Sequence, residues 1–351
     1  MISIAEVPAG LVFGGVDTHK DTVHVAAVDA IGRRLADAEF PTTRVGYADA
    51  LRWLRGHGDL AKVGIEGTGS YGAGIATEFA AASVEVVEVN RPDRAERRRA
   101  GKSDPIDAYA AATAAASGRA SAIPKDRTAA VESLRVLWVV RAGAVKARTA
   151  ALNEIDSLLV TAPAPLRESL TGLSKTRRVT VCATWRRGTN LGDPTVATKN
   201  ALRRLARRVT DLDTEIADAD TELAALTTTH APHLRAVFGV GPETAATLLV
   251  AAGANPHRIA TEPAMAMLFG AAPVPASSGR TTRHRLNRGG NRQANRALHT
   301  IALTRLRHDP RTRAYRDRHL ANGHTKKDAM RSLKRYIARE LYPILRATLT
   351  T

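Results

Sequence analysis

The chain is 351 residues long, 44% apolar and 25% charged, with 52 Lys and Arg against 34 Asp and Glu and a formal net charge of +18. That length and apolar content are enough for roughly two or three domains with cores of their own, which excludes a disordered or fibrous protein, and the single cysteine, Cys182, excludes an intramolecular disulfide framework and a cysteine-rich zinc module. No basic-then-apolar leader opens the sequence and no apolar run reaches the roughly 18 residues of a membrane span, so the expected setting is the cytoplasm with no membrane, and the excess charge calls for nucleic acid as partner.

Residues 10 to 118 alternate strand and helix signals. "VFGGVDTH" predicts a short apolar strand ending on Asp17, and "TVHVAAVDAIGRRLADAEF" predicts two more with a turn at Ile31-Gly32. A helix is expected from about Val45 to Leu54, then the buried-type strand "KVGIEGTG" ending on Glu66, and a helix from about Gly72 to Ala82. The strand "VEVVEVN" and a helix opened by "SDPIDAYAAATAAAS" follow. This order is that of an α/β domain with a mixed sheet.

Residues 128 to 160 and 198 to 230 carry apolar residues at three- and four-residue intervals and predict two long amphipathic helices. They read either as a dimerising helical hairpin or coiled coil, or as the core of an ordinary bundle. Between them, residues 161–197 are broken by Pro and Gly and give no assignable pattern; Cys182 reads there as a small buried apolar residue. From His233 on, "LRAVFGVGPETAATLLVAAG" predicts helix, turn, helix; a loop holding "SSGRTTRHRLNRGGNR" follows, then mostly helix. From Arg280 to Arg346 there are 19 Lys and Arg against four acids, a net of +15, so nearly all the excess charge is C-terminal.

Asp17 and Glu66 close apolar strands, at the sheet edge where α/β sites form. Asp104 and Asp107 share one face of a helix's first turn, where the macrodipole favours negative charge. Each acid alone also reads as a cap, a dipole partner or a turn residue. Carboxylates brought together unpaired repel and raise one another's pKa values, so convergence of the four calls for a cation, and all-oxygen ligation suits Mg2+ or Mn2+. Two such ions about 4 Å apart clamp the attacking and leaving oxygens of a phosphodiester. The order Asp, Glu, Asp, Asp on a three-strand-first layout resembles the ribonuclease-H-like core of Holliday-junction resolvases. An actin-like or sugar-kinase ATPase is the alternative on a similar fold; it needs phosphate-binding hairpins, and "EGTGSYGAG" is the one weak candidate.

"FGVGPETAA" has the form of a helix-hairpin-helix, whose second-helix N-terminus takes a phosphate without reading sequence, although a plain packing element has the same look. Ser277 and Ser278 stand beside Arg280, Arg283, Arg285, Arg288 and Arg292. A serine next to guanidinium groups can attack a phosphodiester while they stabilise the developing charge; Ser-Ser-Gly is also ordinary loop composition. The basic C-terminal stretch is too dense for a merely solvated face, and neutralising about six to ten phosphates makes affinity fall roughly 10³- to 10⁵-fold between about 50 and 200 mM salt.

These pieces together, "GGVDTHKDTVHVAAVD", "GIEGTGSYGAGIA", "VNRPDRAERRRAGKSDPIDAYAAA", "LRAVFGVGPETAATLLVAAG" and "LFGAAPVPASSGRTTRHRLNRGGNRQANRALH" with "AYRDRHLANGHTKKDAMRSLKRYIARELYPIL", resemble the DEDD transposases of insertion sequences, also described as bridge-RNA-guided serine recombinases. The resemblance implies a RuvC-like, ribonuclease-H-like mixed-sheet domain at about 8–120, a helical coiled-coil region at about 125–230, and a mostly helical transposase domain at 231–351. It places a metal-binding acidic tetrad on Asp17, Glu66, Asp104 and Asp107, and a nucleophilic serine on Ser278, with Ser277 the fallback. It further implies Mg2+, donor and target DNA, an element-encoded guide RNA, and a homo-oligomer, dimer or tetramer, acting at the nucleoid. Two other readings compete: a metal-dependent junction nuclease that uses water, and a nucleic-acid-binding protein whose carboxylates are structural.

Overall fold

The computed structural model describes residues 10–89, 103–127, 129–277, 284–285 and 287–350. The chain forms two compact units, Met1–Asp126 with Asn255–Ala260, and Arg127–Ala254 with Thr261–Thr351.

In the first unit β1 (Leu11–Thr18), β2 (Thr22–Asp29) and β3 (Arg34–Pro41) form an antiparallel meander, followed by α1 (Arg44–Arg55), β4 (Asp59–Glu66), α2 (Ala73–Ala81), β5 (Val86–Val89) and α3 (Asp104–Ala116). The sheet order is β3-β2-β1-β4-β5, with β4 parallel to β1 and β5 parallel to β4, which is the mixed α/β sheet expected from the element order. The β2–β3 turn closes where Gly32 adopts a φ of +83°, open to glycine at no steric cost, while the Asp29 carboxylate accepts from the Ile31 and Arg33 amides. Thr43 caps α1 by accepting from the Gly46 amide.

The two faces of the sheet are packed differently. One buries Val12, Val16, Val25 and Ile65 against Leu54 of α1 and Ile75 and Phe79 of α2. The other receives α3 through alanines, Ala108 and Ala112 against Ala26 and Val28, Ala111 and Ala115 against Val87 and Val89. A Cβ on Gly15 would lie 2.1 Å from the Ala108 carbonyl oxygen and 2.1 Å from the Ala112 nitrogen, and one on Gly64 would lie 2.4 Å from the Ala111 oxygen. The helix backbone thus rests directly on β1 and β4 where no side chain intervenes. Strand side chains alternate, so Asp17, two after Gly15, and Glu66, two after Gly64, stand on the same face as the helix. Along its length α3 is also tied to the meander: the Tyr109 hydroxyl donates to Asp37 at 2.9 Å, His24 Nε2 lies 2.7 Å from the same carboxylate, and the Arg34 guanidinium covers the Tyr109 ring.

Asn255–Ala260, which includes a 3-10 turn at Pro256–Ile259, returns to this unit. Asn255 donates to the Pro124 oxygen and accepts from the Asp126 amide, and Arg258 donates to the Ile123 oxygen.

The second unit is helical: α4 (Ala129–Thr161), α5 (Ala164–Leu170), α6 (Lys175–Thr184), α7 (Pro194–His230), α8 (Pro232–Arg235), α9 (Pro242–Ala252), α10 (Glu262–Leu268), α11 (Arg292–His308), α12 (Pro310–Ala321) and α13 (Lys326–Thr350), with a hairpin of β6 (Val274–Pro275) and β7 (His284–Arg285) between α10 and α11. The long pair α4 and α7 pack on each other in opposite directions, bridged by Arg141–Asp220 and Arg148–Asp213. The unassigned stretch 161–197 supplies α5 and α6; their Leu166, Leu170, Val179 and Cys182 pack on Ile155, Leu202, Ala206 and Val209 of the long pair. Cys182 is fully buried, as expected of it. The helix expected before "GVGPET" is a single turn of four residues, because Pro232 starts it late and the chain turns at Gly239, φ +89°.

Candidate active site

Asp17 ends β1, Glu66 ends the neighbouring parallel β4, and Asp104 and Asp107 occupy the first turn of α3. Their levels are matched by the pairing of Val16 with Ile65, one residue before each strand acid, and by Thr18, whose hydroxyl donates to the Glu66 carbonyl at 3.1 Å. Asp17 and Asp107 are each 7% exposed, whereas the Asp104 side chain is 42% exposed at the rim. The first turn of α3 presents amide groups not used by its own helix, and Pro105 sets its opening direction.

Burial pushes the Asp17 carboxyl above its ordinary value, and the charges of Asp107 and Asp104 push it the same way; His19 and the Thr18 amide, which donates to Asp17 at 2.9 Å, offset part of this. A carboxylate strained in this manner gains from an added positive charge.

His19 is the group that reading for acids missed. Its Nε2 lies 3.2 Å from Asp17 and 3.2 Å from Asp104, and among the described residues that buried atom makes no regular hydrogen bond. Asp17, His19 and Asp104 offer three ligand atoms all within 4.8 Å of one another. The signal in the sequence is the Asp-x-His spacing at a strand end, which puts both side chains on one face. Two carboxylate oxygens and an imidazole nitrogen converging on one point fit a divalent ion.

The C-terminal candidates lie in the second unit. Ser277 follows β6 and is exposed. Ser278, Arg280 and Arg283 lie outside the described residues, as does the arginine-rich stretch 91–102. Arg285 on β7, Arg288 in the next turn and Arg292 at the start of α11 are exposed. The turn carrying Arg288 is held against the end of α10: Asn287 donates to the Met267 carbonyl, the Asn291 amide to that of Leu268, and a Cβ on Gly290 would meet the Gly270 nitrogen at 2.3 Å.

Comparison with known proteins bears on both regions. A DEDD-type insertion-sequence model described as "Transposase" matches residues 14–162, and one described as "Transposase IS116/IS110/IS902 family" matches 231–317. Among curated relatives, the "Insertion element IS110 uncharacterized 43.6 kDa protein" of Streptomyces coelicolor is 36% identical over 146 residues, covering 40% of this chain and 36% of the relative. The "Insertion element IS900 uncharacterized 42 kDa protein" of Mycobacterium paratuberculosis is 34% identical over 146 residues, 41% of this chain and 37% of the relative. The match thus spans little more than a third of either relative. A DEDD family implies a divalent metal, for which the cluster around Asp17 is the candidate seat. Over residues 14–162 and 231–317 the chain is thus similar to insertion-sequence transposases of the IS110 family.

Proposed function

We propose that this chain is a DNA transposase that cleaves and exchanges strands through a covalent serine–DNA intermediate under the direction of an element-encoded RNA. Asp17, Glu66, Asp104 and Asp107 hold Mg2+, or Mn2+ in its place, and His19 contributes a nitrogen ligand beside Asp17 and Asp104. When bound, the ion supplies Lewis-acid stabilisation to phosphodiester oxygens. Ser278 is the nucleophile and Ser277 the fallback. As the Oγ–P bond forms, one bridging P–O bond breaks; the serine proton is given up and the departing sugar oxygen gains one, so an ester replaces an ester. Attack of a second strand's hydroxyl on that ester regenerates the serine, and rejoining needs no outside energy source.

The remaining residues bind and orient. Arg280, Arg283, Arg285, Arg288 and Arg292 take backbone phosphates, and the turn at Gly239–Gly241 serves as a helix-hairpin-helix phosphate contact. The ribonuclease-H-like domain at 8–120 supplies the acids, the helical region at 125–230 the oligomer contact, and the domain at 231–351 the serine. Val136, Val139 and Val140, each nearly half exposed on one stretch of α4, support that oligomer contact.

The observation that carries the proposal is the meeting of Asp17, His19 and Asp104 at the edge of a sheet on which α3 is seated by glycines. The test uses the full chain with Mg2+, labelled element-junction DNA and RNA transcribed from the element's noncoding flank, resolved on a denaturing gel. A protease-sensitive, slow-migrating DNA adduct that disappears with Ser278→Ala is expected. Cleavage without an adduct, indifferent to Ser278→Ala and Ser277→Ala, would replace it with a water-using, metal-dependent nuclease.

A further inference from the structure

Charge in the second unit gathers around one buried side chain. Lys334 on α13 is 8% exposed, and among the described residues no carboxylate pairs with it. Its ammonium donates to Asn295 Oδ1 at 2.8 Å, and the Asn295 amide is occupied by the Phe269 and Gly270 carbonyls. Burial lowers the Lys334 pKa and the charge of Arg331 lowers it further; His299 is lowered by its own burial and by Lys334.

Lys334 lines a pocket of about 790 Å³ whose charged lining is Arg285, Arg331, Arg335 and Arg339 against the single carboxylate of Asp328, with His319 beside them. Arg331 reaches Asp328 at 3.0 Å, Arg339 lies over the Tyr336 ring, and among the described residues the buried Nδ1 of His319 has no hydrogen-bond partner. An ammonium buried where cations outnumber carboxylates is costly unless an anion joins it, and among the described residues only one of its three N–H groups has an acceptor.

We propose that this pocket seats a backbone phosphate of the DNA substrate, with Lys334 as its buried point charge and Arg285, Arg331 and Arg339 as its rim. A phosphodiester offers the single negative charge and the several acceptor oxygens that an ammonium and flanking guanidiniums match. Arg285 belongs to β7, paired with β6, and Ser277 stands two residues beyond the end of β6, so the pocket shares its wall with the strand pair that Ser277 adjoins. The choice of DNA rests on the proposed function; the seat for a phosphodiester does not.

The test is fluorescence anisotropy of the full chain on duplex DNA in EDTA, where no strand is cut, at several salt concentrations. Lys334→Met and Arg339→Gln are each expected to weaken binding on the order of 10-fold and to reduce the salt slope by about 1. In the absence of DNA, Lys334→Met is expected to keep or raise Tm, because it removes an unpaired buried charge. Unchanged affinity and slope in both variants would overturn the seat. So would a lower Tm for Lys334→Met with Arg339→Gln at parental affinity, since the lysine would then be structural. Loss of binding to an RNA duplex of the same sequence with DNA binding intact would overturn the assignment to DNA. If both variants lose DNA affinity while the parent forms no serine adduct, the seat stands and the serine mechanism falls.

Discussion

Gly15→Ala tests whether two glycines set the position of the acid cluster. A methyl at Gly15 would enter to 2.1 Å of two backbone atoms of α3, against the 3.4 Å at which ordinary contact begins. Backbone cannot rotate away as a side chain does, so the helix must retreat by about 1.3 Å or the strand must bend by as much. Overpacking of this kind costs about 1–3 kcal/mol. The same retreat carries Asp104 and Asp107 from Asp17 and Glu66, and a misplacement of about 1 Å at reacting groups lowers rates on the order of 10²-fold. Chemical denaturation would report the first effect, calorimetric titration with Mn2+ the second, and strand cleavage the third. Gly143→Ala is the control: the same methyl on α4 meets nothing within 4 Å, and alanine there should stabilise by about 0.5–1 kcal/mol. A Gly15→Ala protein with parental stability and parental Mn2+ affinity would refute the glycine seat.

His19→Ala should weaken Mn2+ binding on the order of 10- to 100-fold in calorimetry and narrow the preference for Mn2+ over Mg2+, since an imidazole nitrogen favours the softer ion; equal affinities in parent and variant would remove His19 from the site. The hydrogen bond from His24 holds the Asp37 carboxyl below its ordinary value of 3.8, with Tyr109 adding to it. A depressed carboxyl contributes stability above its ordinary value and loses it as pH falls through the folded value, so the stability difference between parent and Asp37→Asn should shrink as pH drops below about 4; a difference that grows over that range would contradict this. Burial pushes the Cys182 thiol up to about 11, so Ellman's reagent at pH 8 should react only as the helical unit unfolds, and fast native-state labelling would show that α6 does not cover it.

The strands were readable because their physics is local. Alternation in β1 and β2, the glycine turn at Gly32 and the apolar run into Glu66 each declare themselves within eight or so residues. Asp17 and Glu66 could be picked out for the same reason, as acids that end apolar strands. The seating of α3 could not, because Gly15 and Gly64 read locally as weak points in strands, while the backbone that needs their vacancy comes some 50 to 100 residues later. Helices α5 and α6, of seven and ten residues, are too short to show a period and take their order from the long pair they pack on. His19 escaped because a single histidine beside a strand end carries no pattern until Asp104 arrives beside it. Lys334 looked like one more cation in a basic helix; only the packing of α11 on α13 shows it buried.

The return of Asn255–Ala260 to the first unit has a consequence for how the chain is made. The segment it holds, Ile123 to Asp126, directly follows the bridge between Ala122 and Glu88 on β5, at the margin of the sheet. A ribosome adding about 5–20 residues per second needs on the order of ten seconds to travel from Asp126 to Ala260. For that interval the strands of the first unit are all synthesised but the margin beside β5 lacks its fastening, and an unfastened strand margin invites pairing with neighbouring chains. Truncations that stop near residue 230 would make that interval permanent, and should aggregate more than truncations that stop beyond Ala260.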